Sequence, residues 1–163
     1  MKKILIFGSS GMIGHVILNH LTVTKRYHVI GSATTEDQNN SQYRVDVRDP
    51  IKVENCLRDV NPDIVINCAG LLIAESEKTR GGAILINSFC PHLLSRLGDK
   101  LNYRLIHIST DCVYSGEKGG YSESSSPDGE SVYARTKALG ELINQADLIV
   151  RTSAIGPDLK IEG

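Results

Sequence analysis

Short apolar runs alternate along the chain with longer segments whose apolar residues recur at helical spacing. The apolar runs predict strands at 2–7, 28–32, 43–47, 63–67, 104–109 and 148–151. The amphipathic segments predict helices at 12–21, 50–60, 82–97 and 132–144.

Individual residues predict where some of these helices begin and end. Asp49 followed by Pro50 predicts a helix start, with the aspartate as N-cap and the proline in the first turn. Gly98 predicts the end of the 82–97 helix. Pro91 lies inside that helix, where its missing N–H predicts a kink or a break.

The alternation predicts an α/β fold: a Rossmann-type, doubly wound parallel sheet of about six strands with helices on both faces and right-handed crossovers. The length of 163 residues suits one domain over 1–163. The longest irregular stretch, 110–131, is rich in serine and glycine. A loop of that length indicates a functional or mobile segment, and we expect mobility in the absence of substrate.

Composition narrows the class of protein. Hydrophobic residues make up 40% and charged residues 23%, as in soluble globular proteins, and the formal charge of −1 provides no field to hold nucleic acid or an anionic membrane. The apolar runs are too short to span a bilayer, and the glycine and serine residues after Phe7 interrupt any signal-peptide pattern. We therefore expect a cytoplasmic protein with no nucleic-acid or membrane partner.

The four cysteines and five histidines show no metal-ligand spacing, so no metal site is predicted. We expect all four cysteines to be thiols, with Cys68 and Cys90 as small core residues. His107 alternates with isoleucines, which predicts a buried imidazole whose hydrogen bonds are satisfied.

The first predicted strand ends in a glycine-rich segment, Gly8-Ser9-Ser10-Gly11-Met12-Ile13-Gly14. The first glycine permits a tight turn, the second lets the backbone approach a pyrophosphate, and the third lets the helix pack close to the strand. The following helix N-terminus offers N–H groups and partial positive charge to phosphates. This segment predicts dinucleotide binding.

The end of the second strand distinguishes the two nicotinamide dinucleotides. An acidic residue there binds the ribose 2′-OH of NAD, whereas a basic residue pairs with the 2′-phosphate of NADP. Ser32 and the residues after it carry no charge before Glu36, which favours NADP over NAD. Glu36 and Asp37 are either solvated loop residues or ligands of the ribose.

Tyr133 and Lys137 stand four residues apart in the last predicted helix and so share one face of it. A lysine charge near the phenol stabilises phenolate, so we expect a lowered Tyr133 pKa and a group able to donate and accept protons near neutral pH. The alternative is an exposed helix face. Because ligands bind at the carboxyl ends of strands in such sheets, we expect the Thr110 hydroxyl to converge with this pair on one carbonyl.

These motifs together resemble the extended short-chain dehydrogenase/reductase family, and they are most similar to its dTDP-4-dehydrorhamnose reductase-like branch of nucleotide-sugar enzymes. The likeness extends over essentially the whole chain. The segments that carry it are the glycine motif, Asp46-Val47-Arg48-Asp49, Asn67-Cys68-Ala69-Gly70, Ser109-Thr110-Asp111-Cys112-Val113-Tyr114, then Gly116, Tyr121, Glu123 and Pro127, the Tyr133/Lys137 pair, Arg151-Thr152-Ser153 and Gly156-Pro157.

The resemblance implies an NAD(P)-dependent oxidoreductase that reduces a keto group of a nucleotide-linked deoxysugar, as in dTDP-rhamnose and polysaccharide biosynthesis. Tyr133 would protonate the keto oxygen, Lys137 would hold the nicotinamide ribose and tune Tyr133, and Thr110 would orient the keto oxygen. The predicted cofactor contacts are Gly8, Ser10, Gly11, Met12, Ile13, Gly14, Ser32, Asp46, Val47, Cys68, Ala69, Gly70, Asn87, Ser109, Tyr133 and Lys137. Asn87 is either adjacent to the cofactor or a helix polar group satisfied locally.

Two departures from the family pattern and the chain length bear on this interpretation. Cys112 replaces a common aromatic residue, and Ala134 replaces the glycine that often follows the tyrosine. The family implies a C-terminal substrate region beyond residue 163, so we expect the isolated chain to bind dinucleotide with little turnover, and we expect a homodimer to be possible. The alternatives are an epimerase, a dehydratase (which Cys112 in place of a carboxylate disfavours) and a non-catalytic dinucleotide-binding or regulatory module.

Overall fold

The computed structural model describes residues 1–34, 41–142 and 144–154. Six parallel strands form one sheet in the order β3-β2-β1-β4-β5-β6. This order places β1 and β4 at the centre. From β1 the chain adds β2 and β3 outward on one side, and from β4 it adds β5 and β6 outward on the other, so the strand order reverses between β1 and β4. The doubly wound parallel sheet predicted from the sequence is confirmed, and its crevice lies at the carboxyl ends of these two strands.

The strands agree with the predicted runs within a few residues. They are β1 (Lys3–Phe7), β2 (His28–Ala33), β3 (Ser41–Arg44), β4 (Ile64–Asn67), β5 (Arg104–Thr110) and β6 (Leu148–Thr152). The third prediction was wrong in its bounds, because pairing with β2 ends at Arg44 and the chain then leaves the sheet. Val45 and Val47 are nevertheless buried, so they produced the apolar run without belonging to the strand.

Helices cover both faces of the sheet. The first, α1 (Met12–Val23), packs with Leu18 against the face formed by Ile4, Ile6 and Ile66. The second, α2 (Pro50–Val60), packs on the opposite face in the larger core, around Leu5, Phe7 and Leu105. As predicted, α2 begins after Asp49, whose carboxylate accepts from the N–H groups of Ile51 and Lys52 at 3.1 Å each. Among the described residues, no helix is long and apolar enough to cross a membrane.

The predicted 82–97 helix lies within a longer helical stretch. It comprises α4 (Arg80–Ala83), a π-helical turn (Ile84–Phe89) and α5 (Cys90–Leu101), and a short helix that was not predicted, α3 (Ile73–Lys78), precedes it. Pro91 has no N–H to donate to the carbonyl of Asn87 four residues earlier, and it stands in the first turn of α5, directly after the π turn. The expected break is therefore a widened turn.

The prediction that Gly98 ends the helix was wrong. The helix continues to Leu101 and ends at Asn102, which takes the left-handed conformation with φ 61°. A Cβ at Gly98 would lie 3.1 Å from the Tyr103 carbonyl oxygen and 3.2 Å from its ring, so the glycine provides space for a close contact instead.

The last helix, α6 (Val132–Leu139), is shorter than the predicted 132–144 segment. It ends at Gly140, where a Cβ would lie 2.0 Å from the Asn87 carbonyl oxygen. Beyond it, the Asn144 side chain accepts from the N–H groups of Ala146 and Asp147 and forms a local turn. An asparagine that binds nearby backbone groups in this way competes with helix formation.

Candidate active site

The glycine-rich segment crosses from β1 to α1 in the tight path that its glycines predict. Gly8 has φ +75°, and a Cβ there would lie 2.7 Å from the backbone nitrogen of Ala69 in the loop after β4. A Cβ at Gly14 would lie 2.1 Å from the Gly8 carbonyl oxygen, so only glycine permits this approach of the helix to the strand. The geometric roles predicted for Gly8 and Gly14 are therefore present.

The N-terminus of α1 is available to an anion. Its N-cap, Gly11, has no side chain to bond the first helical N–H groups, and no acidic residue occupies the first turn. Ser10, Met12 and Ile13 are partly exposed around this end. An uncapped, positively polarised helix end beside a glycine turn fits the diphosphate of a dinucleotide.

The end of β2 supports this crossing through its backbone. The Ser32 carbonyl oxygen accepts from the N–H groups of Gly8 and Ser9 at 2.9 and 3.0 Å. The Ser32 side chain is fully buried and its hydroxyl has no hydrogen-bond partner among the described residues, so it is the main chain of Ser32 that holds the crossing. Its contact with a cofactor stays a prediction. Glu36 and Asp37 lie outside the described residues. Arg44, which the sequence analysis did not single out, donates from Nε to the carbonyl oxygen of Thr34 at 3.2 Å.

The segment after β3 holds its acidic residues in separate roles. Asp46 forms a two-pronged pair with Arg48, with Nε–Oδ1 at 2.9 Å and Nη2–Oδ2 at 2.5 Å, and the arginine lowers the pKa of Asp46. Asp49 caps α2, and Val47 is buried. The Asp46 carboxylate stays partly exposed, with 32% of its side-chain surface accessible, although it is paired with Arg48.

The Asn67–Gly70 segment leaves β4 beside the glycine crossing. Cys68 N–H donates to the Phe7 carbonyl oxygen at 2.9 Å, and Ala69 N–H donates to Asn67 Oδ1 at 3.1 Å.

Asn67 Nδ2 also donates to His107 Nδ1 at 3.1 Å, which assigns the ring proton to Nε2. Burial lowers the pKa of His107 to about 3, so the imidazole is neutral. Its Nε2 has no partner among the described residues, so the expectation of a fully satisfied histidine was only half correct.

Asn87 connects this segment to the last helix. Asn87 is fully buried in the π turn, where its Oδ1 accepts from Leu71 N–H at 2.8 Å, while its Nδ2 donates to the Leu71 carbonyl oxygen and to Thr136 Oγ1, each at 3.2 Å. The carboxamide is therefore satisfied by residues distant in sequence, and the alternative of local satisfaction was wrong. Ser88 adds a second link, because its hydroxyl donates to the Thr136 carbonyl oxygen at 2.7 Å.

Thr110 and Tyr133 come together at the end of β5, as predicted. The Thr110 hydroxyl accepts from Cys112 N–H at 3.1 Å and interacts with the Tyr133 phenol. Burial raises the pKa of Tyr133, and the interaction with Thr110 opposes that shift only in part. The expected lowering of the Tyr133 pKa by Lys137 was wrong, because burial dominates and Lys137 forms its hydrogen bond elsewhere.

Lys137 lies on the inner face of α6, which eliminates the alternative of an exposed pair. Its side chain is buried, with 4% of the residue surface exposed, and Nζ donates to the Ile108 carbonyl oxygen at 2.7 Å. Burial lowers the pKa of Lys137 to about 8. The ammonium is therefore held at the end of β5 by a main-chain oxygen.

Ser109 faces a polar cluster that the sequence analysis did not identify. Its hydroxyl donates to Glu141 Oε1 at 2.6 Å, and Arg151 binds both oxygens of the same carboxylate, at 2.8 and 2.6 Å. Arg151 also contacts the Tyr114 hydroxyl and lies over its ring, 5.1 Å from the centroid. In the sequence, Tyr114 and Arg151 stood out only through the family likeness. Glu141 gave no signal of a role in this cluster, because it lies past the end of α6.

The loop over 110–131 is tied to this cluster by many bonds. Tyr114 stacks on Tyr121, whose hydroxyl donates to Asp128 Oδ2 at 3.0 Å. Gly129 N–H donates to the Val113 carbonyl oxygen at 2.8 Å. Its mobility without substrate stays a prediction.

Comparison with known proteins identifies relatives of this arrangement. A family model described as RmlD substrate binding domain matches residues 1–156. The dTDP-4-dehydrorhamnose reductase of Mycobacterium tuberculosis is 31% identical over 151 residues, which cover 86% of this chain and 44% of that protein. The spore coat polysaccharide biosynthesis protein SpsK of Bacillus subtilis is 31% identical over 160 residues, covering 94% of this chain and 53% of that protein.

A solved structure shows the same fold. The crystal structure of a hypothetical dTDP-4-dehydrorhamnose reductase from Sulfolobus tokodaii superposes with a TM-score of 0.81 at 32% identity, covering 93% of this chain and 55% of that one. The chain spans about half the length of the curated relatives it matches.

Proposed function

The chain belongs to the RmlD substrate binding domain family, and from this premise we propose that it forms the dinucleotide-binding and proton-donating part of an NAD(P)-dependent reductase acting on a keto group of a nucleotide-linked deoxysugar. One observation carries the proposal. A glycine crossing that suits a diphosphate lies at the same edge of one parallel sheet as buried Thr110, partly buried Tyr133 and buried Lys137.

The residues fit a nicotinamide dinucleotide at this edge. The backbone of residues 8–14 would hold its diphosphate, and the loop of residues 67–70 would pass beneath it. Lys137 would position the nicotinamide half, and Asn87 would hold the chain after this loop in place through its bonds to Leu71. The bound dinucleotide supplies the hydride for the reduction.

Tyr133 would supply the proton. Reduction of a ketone needs a donor that still carries its proton at neutral pH, and a phenol whose pKa is raised by burial meets that condition. Thr110, which interacts with the phenol, would fix the keto oxygen beside it. Lys137 would place positive charge near the developing alkoxide, because its ammonium is anchored to Ile108 and buried.

Turnover of a dTDP-4-keto-6-deoxyhexose, measured on the protein that carries this sequence, tests the proposal. Tyr133→Phe should lower kcat by about 100-fold or more, the contribution typical of a positioned acid, while NADPH affinity stays within about twofold. Tyr27→Phe is the matched control, since Tyr27 precedes β2 at the opposite end of the sheet. Undiminished kcat in Tyr133→Phe would refute the acid role.

A further inference from the structure

An exposed arginine lies at the end of β2, where the adenosine half of a dinucleotide is recognised in doubly wound sheets. Arg44 is the last residue of β3 and pairs in register with Ala33. Its Nε donates to the Thr34 carbonyl oxygen at 3.2 Å, and the next residue, Val45, donates from its N–H to Ala33 at 2.9 Å. The guanidinium is therefore fixed over the end of β2 from the neighbouring strand.

The surroundings of Arg44 suit an anion. Residues 31–34 carry no acidic side chain, and the hydroxyl of Ser32 is buried away from the surface. Among the described residues no carboxylate forms a salt bridge with Arg44. Because Nε is used by Thr34, the two terminal amino groups of the guanidinium remain for a phosphate, which they can bind in two-pronged fashion.

The glycine crossing and Arg44 both lie at the carboxyl ends of their strands, at one edge of the sheet. The Ser32 carbonyl oxygen binds Gly8 and Ser9, so the glycine crossing is attached to β2 itself. Arg44 stands one strand further out, and neighbouring strands are about 4.8 Å apart. A dinucleotide held at the crossing would extend its adenosine ribose toward β2 and β3.

We propose that Arg44 binds the 2′-phosphate on the adenosine ribose and thereby makes the site selective for NADP(H) over NAD(H). This inference rests on the proposed function, because it assumes that a dinucleotide occupies the crossing. It assigns the selectivity to a residue of β3, whereas the sequence analysis expected the residue that distinguishes NADP from NAD at the end of β2.

Calorimetric titration of the chain with NADPH and with NADH tests the assignment. The unmodified chain should bind NADPH about 10-fold or more tightly than NADH. Arg44→Gln should lose about 10- to 100-fold in NADPH affinity, as expected for a charge-assisted hydrogen-bonded pair, with NADH affinity unchanged within about twofold. Arg26→Gln is the matched control, because this exposed arginine lies before β2 at the far end of the sheet.

A second variant keeps the test decisive if Arg44→Gln folds poorly. Arg44→Lys keeps the charge without the planar fork, so it should retain part of the NADPH preference. Salt should also weaken NADPH binding to the unmodified chain more steeply than NADH binding.

Each contrary outcome has a separate meaning. NADH binding as tight as NADPH binding, as expected if Glu36 or Asp37 holds the ribose, would overturn the assignment to Arg44. Equal losses for both dinucleotides in Arg44→Gln would do the same. Absence of binding by either dinucleotide would refute the proposed function itself.

Discussion

The buried ammonium of Lys137 makes the stability of the chain depend on pH in a way that can be measured. Burial lowers the pKa of Lys137 from its ordinary value of 10.5 to about 8 in the folded chain. Between these values the unfolded chain binds more protons than the folded one. Stability therefore rises as pH increases from about 8 to 10.5, and the gain is lost as pH falls through 8.

The magnitude follows from the two pKa values. A shift of one unit corresponds to about 1.36 kcal/mol, so the full effect is about 3.4 kcal/mol, and about 2.5 kcal/mol of it falls between pH 7 and pH 10. Lys137→Met removes the charge while filling nearly the same volume. We expect the unfolding free energy of the unmodified chain to rise by about 2.5 kcal/mol relative to that of Lys137→Met over this interval.

Urea unfolding at pH 7, 8, 9 and 10, followed by far-UV circular dichroism, measures this difference; tryptophan fluorescence cannot be used because the chain has none. Groups common to both proteins, including Tyr133, cancel in the comparison unless they are coupled to Lys137. Lys2→Met, at an exposed position, controls for the loss of a lysine as such. A relative change below about 1 kcal/mol, or one of opposite sign, would show that Lys137 is not held charged in a desolvated position.

Two further predictions concern the crossing and the cysteines. Gly14→Ala should lower the unfolding free energy by about 3 kcal/mol, because its Cβ would lie 2.1 Å from the Gly8 carbonyl oxygen. Gly81→Ala is the control: a Cβ there has nothing within 4 Å, so the unfolding free energy should be unchanged or rise by up to about 1 kcal/mol. Equal effects of the two variants in urea unfolding would contradict this prediction. Iodoacetamide should modify exposed Cys112 in the folded chain and should reach Cys56 and Cys90 only after unfolding. These two thiols are buried, and burial raises the pKa of each to about 12. Rapid labelling of Cys90 in the folded chain, detected by peptide mass spectrometry, would be inconsistent with the structure.

Features set by neighbouring residues could be predicted from the sequence. The glycine crossing, the aspartate cap of α2 and the Tyr133–Lys137 spacing each depend on a few consecutive positions, and all three are present. Gly98, which lies inside its helix, and Gly140, which ends one, illustrate the limit. A glycine can end a helix or admit a neighbour at close range, and only the packing of Tyr103 and of the Asn87 carbonyl distinguishes the two.

Features set by distant residues could not be predicted. The Tyr133 pKa depends on how deeply α6 is buried, and the ammonium of Lys137 is paired with a carbonyl of β5 rather than with the phenol. Arg44 escaped notice because its significance comes from the pairing of β3 with β2. Strand pairing between separated segments leaves no local signal in a single sequence.

The unfavourable features of this fold gather at one edge of the sheet, and that distribution supports a binding or catalytic role for the edge. The N-terminus of α1 has no side-chain cap, the ammonium of Lys137 is buried, and Nε2 of His107 is buried with no partner in the part of the chain that the structure describes. The two buried groups are destabilising, since a desolvated charge and an orphaned donor lose their interactions with water. The first N–H groups of α1 have no partner within the helix. The core around Leu5 and Leu94 is apolar and shows that the chain can pack without them. A ligand that supplied phosphate oxygens to α1 and hydroxyls to Lys137 would relieve two of the three, so dinucleotide binding should stabilise the chain as well as prepare it for reaction.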